Sequence, residues 1–170
     1  ISEHKPFDKH RRVEEFYPVM EGTDTKDKTY LSLSFVTNYG TDYLKVEALS
    51  LLTYYLFNRQ AAPLRLAFEE AGIGKNIHCS SSDYKQIIIH ILLQDANPQE
   101  LDKFYDLIMQ NLKKIASEGI NKDEFESILN IYEFNRREDN DANKGISYLS
   151  DLMPYFIYNT DPFAGLEYEY

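Results

Sequence analysis

The side chains of this sequence that are best suited to bind a metal and activate water are four histidines, His4, His10, His78 and His90. A zinc hydrolase of the helical type places two histidines on one helix face with a glutamate beside them, so that imidazoles bind the metal and the carboxylate accepts a proton. No two of the four histidines have helical i, i+4 spacing, and His78 and His90 have no acidic partner at ligand spacing. The sequence therefore predicts no catalytic metal site in this chain.

Three further patterns resemble functional motifs, but each lacks a required part. Residues 139–145 begin like a calcium loop, yet the glycine falls one place late and Ser150 stands where a bidentate glutamate should close the site. The serines at 80–82 lack the flanking pattern of a nucleophile elbow. Glu69 and Glu70 are adjacent, so their side chains diverge on a helix and do not form a catalytic carboxylate pair. We expect two polar turns and a solvated helix face.

The charge of the chain limits its partners. With 28 acidic and 18 basic residues among 170, the net charge is −10. Phosphate binding needs clustered lysine and arginine, so a nucleic-acid partner is not expected, and neither is an anionic membrane surface. Basic peptides are the partners that such a charge attracts, with solubility as the alternative explanation.

The single cysteine, Cys79, allows no disulfide within the chain, which fits a reducing compartment. Because Cys79 lies in a strand-like run with no base at a suitable spacing, we expect a small core residue rather than a nucleophile. No apolar run is long enough to span a membrane. We expect an intracellular location, the bacterial cytoplasm in the first place and an organelle matrix as the alternative.

Four segments have the composition of strands: residues 12–19, 29–36, 76–82 and 85–93. Pro18 would confine the first to a sheet edge. In the second, apolar residues alternate with serine, which is typical of a strand with one buried face. The fourth is apolar on both faces and is expected at the centre of the sheet, with Ile87, Ile89, Ile91 and Leu93 on one face.

Five segments predict helices: residues 42–59, 63–71, 98–118, 122–138 and 145–158. Asn97 with Pro98 and Glu100 forms a capping-box start, and Gly119 stops the same helix. The residues expected to face inward are Val46, Leu49, Leu52 and Leu56 in the first helix, Phe125, Ile128, Leu129 and Tyr132 in the fourth, and Ile146, Leu149, Met153 and Phe156 in the last.

The order of these elements predicts an α+β fold, an antiparallel sheet with helices packed on one face. A chain of 170 residues fits a single domain. We place this domain at residues 29–160, after an N-terminal arm with a candidate edge strand at 1–28.

One segment predicts a short helix with a start residue and a stop residue. Its sequence is Ala62-Pro63-Leu64-Arg65-Leu66-Ala67-Phe68-Glu69-Glu70-Ala71-Gly72-Ile73-Gly74. Pro63 suits a first helical position, and Gly72 suits the left-handed residue that ends a helix. In amino-acid sequence the segment resembles the second domain of the presequence-protease group, within the insulinase/pitrilysin-type zinc metallopeptidases. In that group a Pro-Leu-Arg-like helix follows a long helix and leaves through Gly-x-Gly.

A second block resembles the same group. It runs from Glu126 to Tyr168 and contains Glu133-Phe134-Asn135-Arg136-Arg137-Glu138-Asp139-Asn140, then Lys144-Gly145, then Asp161-Pro162-Phe163. Lys144 stands where arginine is usual and Arg136 where an apolar residue is usual, and the loop after Asn140 is shorter. The residues that carry the two blocks, with structural roles only, are Pro63, Leu64, Arg65, Gly72, Gly74, Glu133, Arg137, Gly145, Asp161 and Pro162.

The resemblance implies a parent protein that is a zinc metalloendopeptidase of two halves, which close around a chamber and degrade short unfolded peptides. It implies that zinc lies in another domain and that this domain is a non-catalytic chamber wall and support, contacting other domains of the parent and peptide. Residues 161–170 would begin the hinge linker to the next half. No catalytic residue carries over, so the chain alone is predicted to be inactive.

Two alternatives remain open at this point. One is a peptide- or protein-binding module of the same fold that works without any protease activity. The other is an unrelated acidic α+β enzyme, which is supported only by the many carboxylates. A His-x-x-Glu-His motif elsewhere in the parent polypeptide would distinguish the protease domain from the stand-alone module.

Overall fold

The computed structural model describes residues 5, 7–82, 85–137 and 143–163. In chain order the elements are β1 (Thr29–Tyr39), α1 (Tyr43–Thr53), a π-helical turn (Tyr54–Asn58), α2 (Pro63–Ala71), β2 (Asn76–Ser81), β3 (Gln86–Ala96), a 3-10 turn (Pro98–Glu100), α3 (Leu101–Glu118), α4 (Lys122–Arg137) and α5 (Lys144–Ile157). The predicted α+β class is confirmed.

The three strands form one antiparallel sheet in the order β1-β3-β2. β3 lies in the centre, as its two apolar faces predicted. Ile91 of β3 is the register partner of Leu33 on one side and of Cys79 on the other. The sheet therefore joins the first strand to the two that follow α2, and the helices between them must cross one of its faces.

That covered face is the core of the domain. Ile87, Ile89, Ile91 and Leu93 alternate with half-exposed neighbours along β3, and the four are among the most buried residues of the chain. Against them pack side chains from the helices, in a cluster that includes Leu56, Phe57, Leu64, Phe68, Phe104, Ile108 and Ile128. The expectation that helices cover one face of the sheet is confirmed.

The first predicted helix is two elements. α1 begins at the cap Asp42, whose carboxylate accepts a hydrogen bond from the backbone N–H of Lys45. It ends at Thr53, and a wider π turn continues to Asn58. Leu52 was expected on the inner face, but it is 37% exposed, and Thr53 takes the buried place. The reason is geometric, because the face through Val46 and Leu49 continues at i+7, which is residue 53.

The starts and stops of the later helices follow the sequence closely. Asn97 and Glu100 form the capping box, and Gly119 ends α3 at a positive φ of 83°. In α4, Asn121 accepts a hydrogen bond from the N–H of Glu124, and Ile128 is buried, whereas Leu129 is 38% exposed and not fully inward as predicted. Within the described residues, no helix is long and apolar enough to cross a lipid bilayer.

Two further predictions were wrong. Residues 12–19 form no strand, because they make no ladder with β1 and lie exposed. α5 forms as predicted, but Ile146, Leu149, Met153 and Phe156 are 66%, 55%, 43% and 59% exposed rather than inward. The helix approaches the rest of the described chain through its opposite side, where the ring of Tyr155 lies 6.1 Å from that of Tyr43.

Candidate functional site

The helix α2 and its exit are the best-defined of the motif segments. Pro63 occupies the first turn, after Ala62, which supplies no side-chain cap. Gly72 ends the helix in the left-handed conformation, with a φ of 64°, and its N–H bonds to the carbonyls of Phe68 and Glu69. Both ends are therefore fixed by backbone chemistry, as the Pro and Gly positions predicted.

Gly74 holds the exit of α2 close to the sheet. Its φ is 58°, and a Cβ placed on it would stand 2.5 Å from Cγ and Cδ1 of Leu93. Leu93 is only 1% exposed, so a new Cβ at this distance would have to displace a packed core side chain. Only glycine fits both the backbone conformation and the contact, which gives this position a packing role.

The inner side of α2 is core. Leu64 is fully buried, and the ring of Phe68 lies 5.8 Å from that of Phe104 on α3. On the outer side, Nε of Arg65 lies 3.3 Å from a carboxylate oxygen of Glu69 one turn later. Such an exposed i, i+4 pair contributes about 0.3–0.5 kcal/mol. The Glu69 carboxylate is therefore paired on a solvated face, which fits the predicted surface role.

A small pocket lies beside α2 and is lined by Arg65, Phe68, Gly74, Lys75 and Leu93 among others. Its volume of about 20 Å³ has room for about one water molecule. Substrate and cofactor pockets are larger, at roughly 300–1,000 Å³. The pocket is therefore a packing defect at the exit of α2 rather than a site for a ligand.

The motif residues of the second block are not brought to α2. On α4, a carboxylate oxygen of Glu133 lies 2.6 Å from a guanidinium nitrogen of Arg137, one turn later and on an exposed surface. Gly145 lies in the first turn of α5 with open space around it. Asp161, before Pro162, accepts a hydrogen bond from the N–H of Phe163. These motif residues therefore lie at or beside helix ends, in local ion pairs or in the core, and they do not form one site.

The histidines do not form a metal site in the described residues. His10 lies against the ring of Tyr105, at 6.2 Å between centroids. The Nδ1 atom of His90 lies 2.8 Å from the hydroxyl oxygen of Ser34 on the neighbouring strand. Across the described part of the chain, no three His, Cys, Asp or Glu side chains are grouped so as to hold a metal ion. His4 and residues 139–142 of the calcium-like segment lie outside the described residues.

Cys79 is a core residue, as predicted. It is 1% exposed, and burial raises the pKa of its thiol to about 12, although a hydrogen bond with Thr53 opposes that rise. A thiol nucleophile needs the opposite shift, because the thiolate is the reactive form. The chemistry of Cys79 is therefore suppressed in the folded chain.

Sequence reasoning missed three residues with a structural role, of which two bond to β2 and one is a proline inside α5. Thr53 reaches Cys79, Asn58 makes two hydrogen bonds with the backbone of Cys79, and Pro154 lies inside α5. Asn58 carried one usable signal, since it is the polar residue that ends a long apolar run. The partners of Thr53 and Asn58 lie more than 20 residues away, so no local pattern shows them.

Fold and site together define an α+β domain without a metal centre in its described residues. Residues 3–132 match the family described as "Peptidase M16 inactive domain". The chain belongs to this family.

The relatives agree with the family match. The chain is 34% identical over 175 residues to Protein HypA of Clostridium perfringens. This alignment covers 99% of the present chain and 18% of HypA. It is 31% identical over 169 residues to Presequence protease 1, chloroplastic/mitochondrial, of Arabidopsis thaliana, covering 96% and 16%. Presequence protease, mitochondrial, of Schizosaccharomyces pombe is 26% identical. The chain thus spans less than a fifth of the length of these relatives.

Proposed function

We propose that this chain is the non-catalytic wall and support domain of a zinc metalloendopeptidase that degrades short unfolded peptides. The observation that carries the proposal is the match of residues 3–132 to an inactive peptidase domain. The relatives named presequence protease support the peptide substrate, since they align over nearly the whole chain. The role of the domain is mechanical, because its motif residues serve helix ends and packing.

The zinc of the proposed parent enzyme would lie in another domain. The residues described here do not suit the metal, since no three ligand side chains converge. Two of the three described histidines lie against Tyr105 and Ser34 respectively. Zinc would polarise the scissile carbonyl and lower the pKa of a bound water in that other domain. In this proposal the present domain contributes surface and rigidity.

The proposed peptide partner is unfolded, and basic sequences are favoured by the net charge of −10. The three strands carry only one charged residue, Asp95, so the acidity lies almost wholly on the helices, the arm and the connections. Any preference for basic peptides must therefore come from helix and loop carboxylates. For the location we propose the bacterial cytoplasm, with an organelle matrix as the alternative, and no nucleic-acid or membrane partner.

The experiment compares the full-length parent with the present chain. Each is incubated with short unstructured peptides and zinc, and cleavage is followed by mass spectrometry. We expect chelator-sensitive cleavage by the parent and none by the isolated chain. Chelator-sensitive turnover by a repurified isolated chain would overturn the support role. Peptide binding by a parent that cleaves nothing would favour the stand-alone binding module.

A further inference from the structure

The last helix presents an apolar stripe to solvent. Ile146, Leu149, Met153 and Phe156 follow one another at i, i+3, i+7 and i+10, so they lie on one face of α5. Their exposed fractions are 66%, 55%, 43% and 59%, and no residue of α5 is buried. These four residues form the α5 stripe.

The composition of α5 is that of a buried helix. Among its 14 residues only Lys144 and Asp151 are charged, whereas 27% of the whole chain is charged. A helix that is apolar over most of its surface is normally enclosed by protein. The side that carries Tyr155 meets Tyr43 of α1, and the stripe lies on the other side. The helix is thus held on one side and bare on the side where its sequence is most apolar.

Resting on the proposed function, we infer that the α5 stripe is the surface on which another domain of the same parent polypeptide packs, through an apolar face of its own. The relatives HypA and Presequence protease 1 align with 96–99% of this chain, yet the chain covers only 16–18% of them. More than four fifths of each relative lies outside the aligned segment. A contiguous exposed apolar face is typical of surfaces that other protein covers.

A second copy of the chain fits the stripe less well. A helix of 14 residues is about 21 Å long and about 10 Å wide, so one face offers roughly 200 Å². A stable interface between separate chains buries about 800 Å² on each partner. A domain of the same polypeptide needs less area, because the linker holds it at an effective concentration in the millimolar range.

A lipid surface fits less well still. Amphipathic helices that bind membranes carry lysine and arginine on the polar face, and α5 has a single lysine. The net charge of −10 would also repel anionic headgroups. An apolar protein surface is the remaining chemistry that suits a stripe with no charge.

Hydrogen exchange tests the inference directly. Amide exchange of peptides from α5 is measured in the present 170-residue chain and in the full-length parent, with β3 peptides as an internal reference. We expect exchange in α5 to slow by at least about 10-fold in the parent, because a packed helix opens less often. Equal exchange of α5 in both proteins would overturn the inference.

Two matched substitutions sharpen the test. Leu149→Lys places a charge on the stripe, and Leu66→Lys places the same charge on α2 at a side chain that is 44% exposed. In the isolated chain, we expect neither to move the melting temperature appreciably. In the parent, Leu149→Lys should return α5 exchange to the rate of the isolated chain, while Leu66→Lys should not. If Leu149→Lys prevents folding of the parent, the milder Leu149→Ala with Phe156→Ala takes its place.

The outcomes separate this inference from the proposed function. A parent that protects α5 but cleaves no peptide would refute the peptidase proposal alone. A parent that cleaves peptides while α5 stays unprotected would refute the inference alone. Protection in the isolated chain that rises with concentration, together with a dimer in analytical ultracentrifugation, would assign the stripe to a second copy and overturn the inference.

Discussion

The side chain of Asn58 is bonded twice to the backbone of Cys79. Its amide nitrogen donates to the carbonyl of Cys79 at 2.9 Å, and its carbonyl oxygen accepts from the N–H of Cys79 at 3.2 Å. Asn58 ends the π turn, and Cys79 lies in the middle of β2. One side chain therefore ties the end of the first helical segment to an edge strand, and does the work of a neighbouring strand at that point.

Asn58→Ala should lower the free energy of unfolding by about 1–3 kcal/mol, because the N–H and carbonyl of Cys79 would lose their partners in a partly buried place. Asn58→Asp should keep the acceptor but lose the donor. Its free energy of unfolding should therefore lie between those of the unsubstituted chain and Asn58→Ala. Urea denaturation gives these values. Asn38→Ala is the control, since among the described residues the Asn38 side chain bonds to its sequence neighbours Thr37 and Tyr39. Equal losses at Asn58 and Asn38 would contradict the bracing role.

Gly74→Ala should destabilise the fold by about 2–4 kcal/mol, because the new Cβ adds left-handed strain and overlaps Leu93. Gly72→Ala is a matched control with a similar φ of 64° and open space around its Cβ. It should cost only the backbone strain, about 1 kcal/mol. Thermal or urea unfolding of both variants measures the difference. Equal costs would show that contact with Leu93 is unimportant.

Cys79 should be inert towards thiol reagents in the folded chain at neutral pH, because burial holds the pKa of its thiol near 12. A disulfide reagent should label it only after denaturation, and rapid labelling of the native chain would contradict the buried placement.

The same shift predicts a pH dependence of stability. The ordinary pKa of a cysteine thiol is 9.0, so above that pH the thiol of the unfolded chain ionises while that of the folded chain stays protonated. The unfolding free energy should therefore be fully retained below pH 9 and fall as pH rises towards 12. Comparison with Cys79→Ala isolates the effect from other groups, and parallel curves for the two proteins would disprove it.

The isolated chain should fold without metal, because its core is apolar and its described ligand side chains do not converge. Its melting temperature should be the same with and without a strong chelator. A metal bound to the native state would raise stability, so a midpoint that drops with chelator and returns with zinc would refute this prediction.

In the full-length parent, reversing several helix and loop carboxylates of this domain should lower kcat/KM for basic peptides more than for neutral ones. One-sided charge raises the encounter rate with opposite charge, and salt screens the effect. Kinetics at low and high ionic strength measure it. An equal loss for both peptide classes would show that the charge serves solubility.

The sequence by itself determined the features that depend on local chemistry. The cap at Asn97, the helix ends at Gly72 and Gly119 and the burial pattern of β3 follow from residue type and spacing alone. The pattern of the two motif segments also identified the peptidase family, and the match of residues 3–132 to the inactive domain agrees with it.

Tertiary structure decided what depends on distant partners. The hydrogen bond of Thr53 with Cys79 and the two bonds of Asn58 with the backbone of Cys79 depend on where β2 passes, and neither partner is visible locally. Residues 12–19 have the composition of a strand but no neighbour with which to pair. The apolar face of α5 predicted burial, and the structure places that face in solvent. Hydrophobic periodicity shows which face of a helix is suited to burial, but the three-dimensional arrangement decides whether a neighbour covers that face.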